Sequence, residues 1–160
     1  MKGLRTIRFD PSDLHVFEHA AEPGEWAVPG GFAFAAASAP GLTGKARQAF
    51  ANGFLGLSSF GRSTFATVSE MSDPEFAEVL HGLARYFVTR FGAPDADAAL
   101  PQARTELGFA CDLCADAPIN TIFTLRRHVD NSGDIREEFR IVQAPTERAH
   151  TRIWDVVQDD

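Results

Sequence analysis

Residues 72–92, SDPEFAEVLHGLARYFVTRFG, carry the strongest local structural signal in the chain. Ser72 and Glu75 have the spacing of a capping box, in which each side chain accepts a hydrogen bond from the other residue's backbone N–H. Gly92 predicts the end of the helix, because glycine adopts the left-handed C-cap conformation without strain. Apolar residues share one face between these ends: Phe76, Leu80, Leu83, Phe87 and Phe91. The sequence therefore predicts a long amphipathic helix from Ser72 to Phe91.

A β-hairpin is predicted near the C-terminus. Apolar side chains alternate along residues 119–129, and Asn131-Ser132-Gly133 supplies a tight turn before a returning strand. The core-facing positions are Ile119, Thr121, Phe123, Leu125, Val129, Ile135, Phe139 and Ile141. The opposite face carries Arg126, His128, Arg136, Glu138 and Arg140, whose alternating signs are typical of a solvated sheet face. We therefore expect the hairpin to pack on the core by one side only.

Short strands separated by Gly and Pro turns make up the N-terminal part of the chain. We predict strands at residues 4–9, 26–28, 32–34 and 63–69. Leu14–His19 fits both a short helix that begins at Pro11 and a strand, and we favour the strand.

Two further helices complete the pattern. Thr43 caps the first, in which Gly53 and Gly56 indicate either close backbone packing or an early helix end. The second is predicted from Leu100 or Pro101 to Asp116.

These elements predict an α+β fold. Its antiparallel sheet is built from the N-terminal strand meander and the C-terminal hairpin, and two or three helices pack on one face. The 160 residues fit one domain over residues 1–144, followed by a C-terminal tail over residues 145–160.

Composition and charge exclude several classes of function. The formal charge of −7 argues against broad electrostatic binding of nucleic acid or of an anionic membrane. No apolar run approaches the roughly 20 residues that a membrane-spanning helix needs. Two cysteines do not make a disulfide framework, so we expect a cytoplasmic location. The 14 phenylalanines indicate either a thick apolar core or an apolar surface for a partner.

Three short motifs each lack part of what their chemistry needs. Cys111-x-x-Cys114 lies near the C-terminal end of a predicted helix, where the helix dipole opposes thiolate formation, and no second pair of zinc ligands follows. His15-x-x-Glu18-His19 matches an inverted zinc-protease pattern but falls in a short segment between prolines. Residues 40–46 lack the first glycine and the Ser/Thr of a phosphate-binding loop. We therefore expect structural cysteines, no metal and no cofactor.

A looser anion-binding site is predicted from Lys45, Arg47, Arg62 and Ser63, which lie around a helix end and a serine-rich turn. The alternative for these residues is ordinary turn and cap chemistry.

Four distinctive stretches run through the chain: RTIRFD at residues 5–10, GEWAV at 24–28, GKARQAFANGFLGL at 44–57 and FGRSTF at 60–65. In these stretches the sequence resembles a family of short uncharacterised bacterial proteins, a domain of unknown function. The resemblance covers nearly the whole chain, and it implies no established activity, cofactor or site.

No catalytic constellation can be assembled from the spacing of the five histidines and the other polar residues. We therefore predict a non-enzymatic accessory or assembly protein that acts through contacts with another protein or with a second copy of itself. Phe60 and Trp154 are the predicted partner-binding residues, because aromatic side chains anchor interfaces. The alternative is a small-ligand or anion-binding protein, or an enzyme, with a pocket near Gly53–Thr64.

Overall fold

The computed structural model describes residues 1–143, so the predicted tail over residues 145–160 lies outside the described residues. The elements in chain order are β1 (Lys2–Ile7), α1 (Ser12–Val16), β2 (Trp26–Val28), α2 (Gly44–Asn52), β3 (Phe54–Gly56), β4 (Arg62–Ser63), β5 (Phe65–Glu70), α3 (Asp73–Phe91), α4 (Ala96–Cys114), β6 (Ile122–Val129) and β7 (Ile135–Gln143). The α+β class predicted from the sequence is confirmed.

The seven strands form one sheet in the order β4-β3-β2-β1-β5-β6-β7. Every neighbouring pair is antiparallel. β1 lies at the centre, where Leu4 stands opposite Ala27 on one side and Val68 on the other. The meander and the hairpin therefore share one sheet, joined through β5 and β6.

The long helix α3 begins and ends where the sequence predicts. Ser72 accepts a hydrogen bond from the Glu75 N–H at 3.2 Å, and the Glu75 carboxylate accepts one from the Ser72 N–H at 2.9 Å. Gly92 follows the helix in the left-handed conformation, at φ 77°. Leu83 on α3 and Leu107 on α4 are buried in the same apolar core as Leu4 and Val68. α4 lies against β1 and β2, and α3 packs alongside α4.

The strand favoured for Leu14–His19 is wrong, because this segment begins as the short helix α1. The reason is a polar contact that periodicity does not reveal. The Asp13 side chain is buried and accepts hydrogen bonds from the backbone N–H (3.2 Å) and the hydroxyl (2.7 Å) of Thr64. A helical turn brings Asp13 to Thr64 and also buries Phe17, just after the helix.

The strand predicted at residues 32–34 is also wrong. A 3-10 turn, Gly31–Ala33, occupies this place and follows Gly30 at φ 79°. A methyl group on Gly31 would lie 2.7 Å from the Glu137 carboxylate, so a larger residue here would have to displace that side chain.

α2 differs from the prediction at its C-terminal end, and α4 differs at both ends, since it ends at Cys114 rather than at Asp116. α2 ends at Asn52, and Phe54–Gly56 after it form the buried strand β3. Of the two interpretations of Gly53 and Gly56, close backbone packing or an early helix end, the early helix end is therefore correct. α4 begins at Ala96 rather than at Leu100, because the Asp95 side chain accepts a hydrogen bond from the Ala98 N–H at 2.8 Å. Pro101 therefore lies inside α4.

Over residues 1–143, none of the helices combines the length and the apolar character that crossing a membrane would require.

Candidate anion-binding cleft

A cleft of about 710 Å³ opens where α2 meets the outer face of the β6–β7 hairpin. Five residues with cationic side chains line it, and four of them are exposed: Arg47 on α2, Arg126 and His128 on β6, and Arg140 on β7. The fifth, Arg127, is buried in the cleft wall. We call the four exposed residues the basic cleft. Glu138 is the single carboxylate among the described residues that line it.

The pairing of the hairpin explains why these residues converge. Arg126 and His128 are two positions apart on β6, so their side chains project from the same face of the sheet. Across the ladder, Arg126 stands opposite Glu138, and Arg140 stands opposite Thr124 one pair further along. Arg47 joins them because α2 packs against β6.

The arginines of the basic cleft are exposed, and none of them forms an ion pair in the part of the chain that the structure describes. Arg47, Arg126 and Arg140 form no ion pair and no side-chain hydrogen bond among residues 1–143. Three exposed arginines and a single carboxylate, Glu138, leave an excess of positive charge in the cleft, which an anion relieves. This positive patch stands out in a chain whose formal charge is −7.

A smaller pocket of about 260 Å³ adjoins the basic cleft through Arg126 and Arg140. Asn52, Thr64 and Thr124 line its other walls. This pocket lies beside the segment Gly53–Thr64, near which the alternative ligand-binding hypothesis expects a pocket. The cations at its rim come from the hairpin, however, and not from the residues that the sequence analysis selected.

Two of the predicted anion-binding residues are buried in the core. Arg62 donates hydrogen bonds to the carbonyl oxygens of Gly53 (3.1 Å) and Gly30 (3.3 Å). Burial, together with the nearby charge of Arg127, lowers the pKa of Arg62 to about 9, so its guanidinium stays protonated at neutral pH. The Ser63 hydroxyl is likewise turned inward and donates to the Phe65 carbonyl oxygen at 2.7 Å.

Of the four predicted residues, only Arg47 reaches the basic cleft. Lys45 is exposed on α2 and is not among the residues that line it. The structure therefore separates the predicted set into one cleft residue, one exposed helix residue and two buried ones.

Arg127 is the buried residue that the sequence analysis missed. It lies on β6 between the two cleft residues Arg126 and His128, but its side chain points into the core. It donates hydrogen bonds to the carbonyl oxygens of Phe50 (2.6 Å) and Pro29 (2.8 Å). Arg127 thus ties the end of α2 to β6 and fixes the wall of the basic cleft.

The two predicted partner-binding residues have different outcomes. Phe60 is half-buried, and its ring stacks on Tyr86 with 3.7 Å between ring centroids. Its backbone is held at φ 60°, an uncommon conformation for a residue other than glycine. Trp154 lies outside the described residues.

The remaining motifs show no assembled chemistry within residues 1–143. Burial raises the pKa of Cys111, and it raises the pKa of Cys114 to about 12. α1 ends at Val16, so His15, Glu18 and His19 do not share one helix. No group of three or more His, Cys, Asp or Glu side chains lies close enough to hold a metal ion in this part of the chain.

The fold and the basic cleft define a small α+β protein with a cationic surface cleft beside a curled antiparallel sheet. The sequence profile of the "Family of unknown function (DUF6505)" matches residues 1–156. The chain belongs to this family, which confirms the resemblance noted from its sequence stretches. No curated protein and no solved structure matches the chain.

Proposed function

We propose that this protein is a non-catalytic binding protein that holds a small polyanion in the basic cleft. The observation that carries the proposal is the convergence of Arg47, Arg126 and Arg140 on one cleft, where none of the three forms an ion pair within residues 1–143. Glu138 is the single carboxylate among the described residues that line the cleft. Guanidinium groups present planar forks of N–H donors that match the oxygens of phosphate and carboxylate groups.

The size and the support of the cleft favour a ligand larger than a single ion. Its volume of about 710 Å³ lies in the range typical of small-molecule sites. Arg126 and Arg140 project from paired strands, and the buried Arg127 holds α2 against the same strand. The cations therefore have fixed backbone positions before a ligand arrives, which lowers the ordering cost of binding.

The arrangement of polar groups supports binding rather than catalysis. His128 makes no hydrogen bond to a carboxylate or hydroxyl within residues 1–143, so no nucleophile–base pair is assembled there. A cytoplasmic location belongs to the same proposal and is supported by the two cysteines, neither of which forms a disulfide.

Titration of the full chain with pyrophosphate and with citrate, at constant ionic strength, tests the proposal. We expect at least one of these probes to bind. The double variant Arg126→Gln/Arg140→Gln should raise the dissociation constant of that probe at least ~10-fold, because each charge-assisted hydrogen bond contributes about 1.5–3 kcal/mol. Isothermal titration calorimetry measures the constants.

The matched control is Arg85→Gln/Arg104→Gln, which removes the same charge from exposed positions on α3 and α4. Equal losses of affinity in both double variants would show a general charge effect and contradict a site in the cleft. Absence of binding by both probes to the unsubstituted chain would also contradict the proposal.

Assembly through protein contacts is the second candidate function. The observation that favours it is the apolar surface at the edge of the sheet, where Phe109, Ile141 and Val142 are exposed. Large exposed apolar side chains that lie close together are typical of interaction surfaces. The unsubstituted chain should then sediment above its monomer mass of 17.4 kDa.

A further inference from the structure

An apolar pocket of about 260 Å³ adjoins the basic cleft where the chain enters α2. The pocket and the cleft share Arg47, Ala51, Arg127 and His128 in their walls, so the two cavities are contiguous. The other residues that line the pocket are all apolar: Ala39, Pro40, Leu42, Phe50 and Val129. The candidate site therefore has a cationic half and an apolar half.

Hydrogen bonds and aromatic packing fix the walls of this pocket. The 3-10 turn Ala39–Gly41 precedes α2, and the Leu42 N–H donates to the Ala39 carbonyl oxygen at 3.1 Å. Phe50 is 7% exposed, and its ring meets that of Phe34 edge to face with 5.2 Å between centroids. The Phe50 carbonyl oxygen accepts the 2.6 Å hydrogen bond from the buried Arg127. The pocket is therefore formed before a ligand binds, as small-molecule sites usually are.

The chemistry of the walls selects a hydrocarbon occupant. Among the described residues that line the pocket, the polar side chains are only the cations that it shares with the cleft, and none is a carboxylate, a hydroxyl or an amide. A sugar or a nucleobase placed there would give up hydrogen bonds to water that no other side chain replaces. A hydrocarbon group is stabilised by leaving water, in proportion to its apolar area.

The volume of the pocket sets the size of that group. A cavity of roughly 150 Å³ binds one benzene ring. The pocket of about 260 Å³ thus has room for a ring together with the atoms that link it to a charged group.

We propose that the ligand of the basic cleft is a polyanion joined to a hydrocarbon ring, and that the ring occupies the apolar pocket. This inference rests on the proposed function and names its ligand class. Charge complementarity fixes the orientation of the ligand, because Arg126 and Arg140 line the cleft and not the pocket. Arg47 and Ala51 lie one helical turn apart on α2 at the junction of the two halves, where the link between charge and ring passes.

Calorimetric titration of the full chain with phenyl diphosphate and with methyl diphosphate, at constant ionic strength, tests the inference. The two probes have the same charged group and differ only in the ring. We expect phenyl diphosphate to bind at least ~10-fold more tightly, because its ring leaves water in the pocket. Adenosine diphosphate, which carries a nucleoside in place of the ring, should bind more weakly than phenyl diphosphate. Tighter binding of adenosine diphosphate would overturn the hydrocarbon assignment.

A pair of substitutions tests the place of the ring. Leu42→Ser/Val129→Thr makes the pocket wall polar without changing its charge. This variant should reduce the preference for phenyl over methyl diphosphate below ~3-fold and keep the affinity for methyl diphosphate within ~2-fold. The matched control Leu14→Ser/Val142→Thr makes the same exchanges at exposed positions outside both cavities and should keep the preference. Circular dichroism verifies that each variant keeps its fold.

Methyl NMR of the unsubstituted chain gives a measurement that needs no substitution. A phenyl ring in the pocket lies against Leu42 and Val129, so its ring current should shift their methyl signals. Methyl diphosphate has no ring and should leave these signals nearly unchanged. Equal responses to the two probes would overturn the assignment of the ring to this pocket.

The variant Arg126→Gln/Arg140→Gln separates this inference from the proposed function. It should weaken both diphosphates by the same factor, since neither arginine lines the apolar pocket. Equal affinity of the unsubstituted chain for the two diphosphates, with both weakened in this variant, overturns the ring site and leaves the proposed function standing. Binding of neither diphosphate overturns the inference, and titration with pyrophosphate and citrate then decides the proposed function by itself. Binding of phenyl diphosphate that this variant does not weaken overturns both.

Discussion

Arg127 on β6 and Glu137 on β7 face each other across the hairpin and form an ion pair of 2.8 Å. The Arg127 side chain is 0% exposed, whereas that of Glu137 is 24% exposed. Burial lowers the pKa of Arg127, and the charge of Glu137 opposes this shift. The pair lies at the join of α2, the hairpin and the turn after β2, because Arg127 also binds the carbonyl oxygens of Phe50 and Pro29.

Arg127→Ala should therefore lower the free energy of unfolding by about 3–5 kcal/mol, the cost typical of breaking a buried ion pair from one side. The substitution leaves Glu137 and two carbonyl oxygens without their donor. Urea denaturation at pH 7 measures the change. Arg126→Ala is the matched control, since the neighbouring side chain is exposed and should change stability by no more than ~0.5 kcal/mol. A loss below ~1 kcal/mol in Arg127→Ala would contradict a structural role for the pair.

The role of Arg127 depends on contacts that the local sequence does not encode. Alternation along β6 places position 127 on the core-facing side between Leu125 and Val129, and an arginine there contradicts the apolar pattern. An arginine at a core-facing position indicates a buried charge with a specific partner, and this pattern was the one sign in the local sequence that pointed to Arg127. Its partners Phe50 and Pro29 are 77 and 98 residues away in sequence, so no local pattern could supply them.

Features with local causes were predicted well. The capping box of Ser72 and Glu75 and the stop at Gly92 depend on residues within one helix, and the structure confirms both. The basic cleft depends instead on the packing of α2 against β6, which no local pattern encodes. The sequence therefore assigned Arg126 and Arg140 to a solvated face, although that face becomes one wall of a cleft.

Glu25 should control part of the acid stability of the fold. Its buried carboxylate accepts hydrogen bonds from the N–H groups of Glu22 (2.7 Å), Ser58 (2.9 Å) and Ser59 (2.8 Å) and from the Ser59 hydroxyl (2.6 Å). Burial raises the pKa of Glu25, but these hydrogen bonds outweigh burial and hold the pKa below its ordinary value of 4.5. The folded pKa is thus lower than the unfolded one, so the stabilisation is complete above pH 4.5 and is lost as pH falls through the folded pKa.

Glu25→Gln should reduce the free energy of unfolding at pH 7 by about 2 kcal/mol, because two charge-assisted hydrogen bonds become neutral ones and one acceptor becomes a donor. Below pH 4.5 the difference from the unsubstituted chain should shrink. Urea denaturation between pH 3 and pH 7 measures both effects. Glu22→Gln, an exposed carboxylate in the same turn, serves as control. A difference that stays constant down to pH 3 would contradict the linkage.

Two glycine substitutions should act in opposite directions. A methyl group on Gly61 would lie 2.5–2.6 Å from the backbone of Ala20 and Ala21, so Gly61→Ala should destabilise the fold by about 1–3 kcal/mol. Gly108 lies inside α4 with open space at its Cβ position, so Gly108→Ala should stabilise it by about 1 kcal/mol. Thermal denaturation of the two variants side by side measures the contrast. Equal effects in both would contradict the close approach of Gly61 to Ala20.

The cysteine pair should react poorly with thiol reagents in the folded protein. The thiolate is the reactive form of cysteine, and a pKa of about 12 leaves Cys114 with about a thousandfold less thiolate at pH 8 than a group at 9.0 has. Burial also raises the pKa of Cys111, and this side chain is half-buried. We therefore expect Ellman's reagent to modify Cys111 slowly and Cys114 only after unfolding in urea, where both react at once.

The variants Cys111→Ser and Cys114→Ser assign each rate to one thiol. Rapid reaction of Cys114 in the native Cys111→Ser chain would contradict its burial in the core. It would also reopen the redox interpretation of the pair, because disulfide exchange requires a thiolate that the reagent can reach.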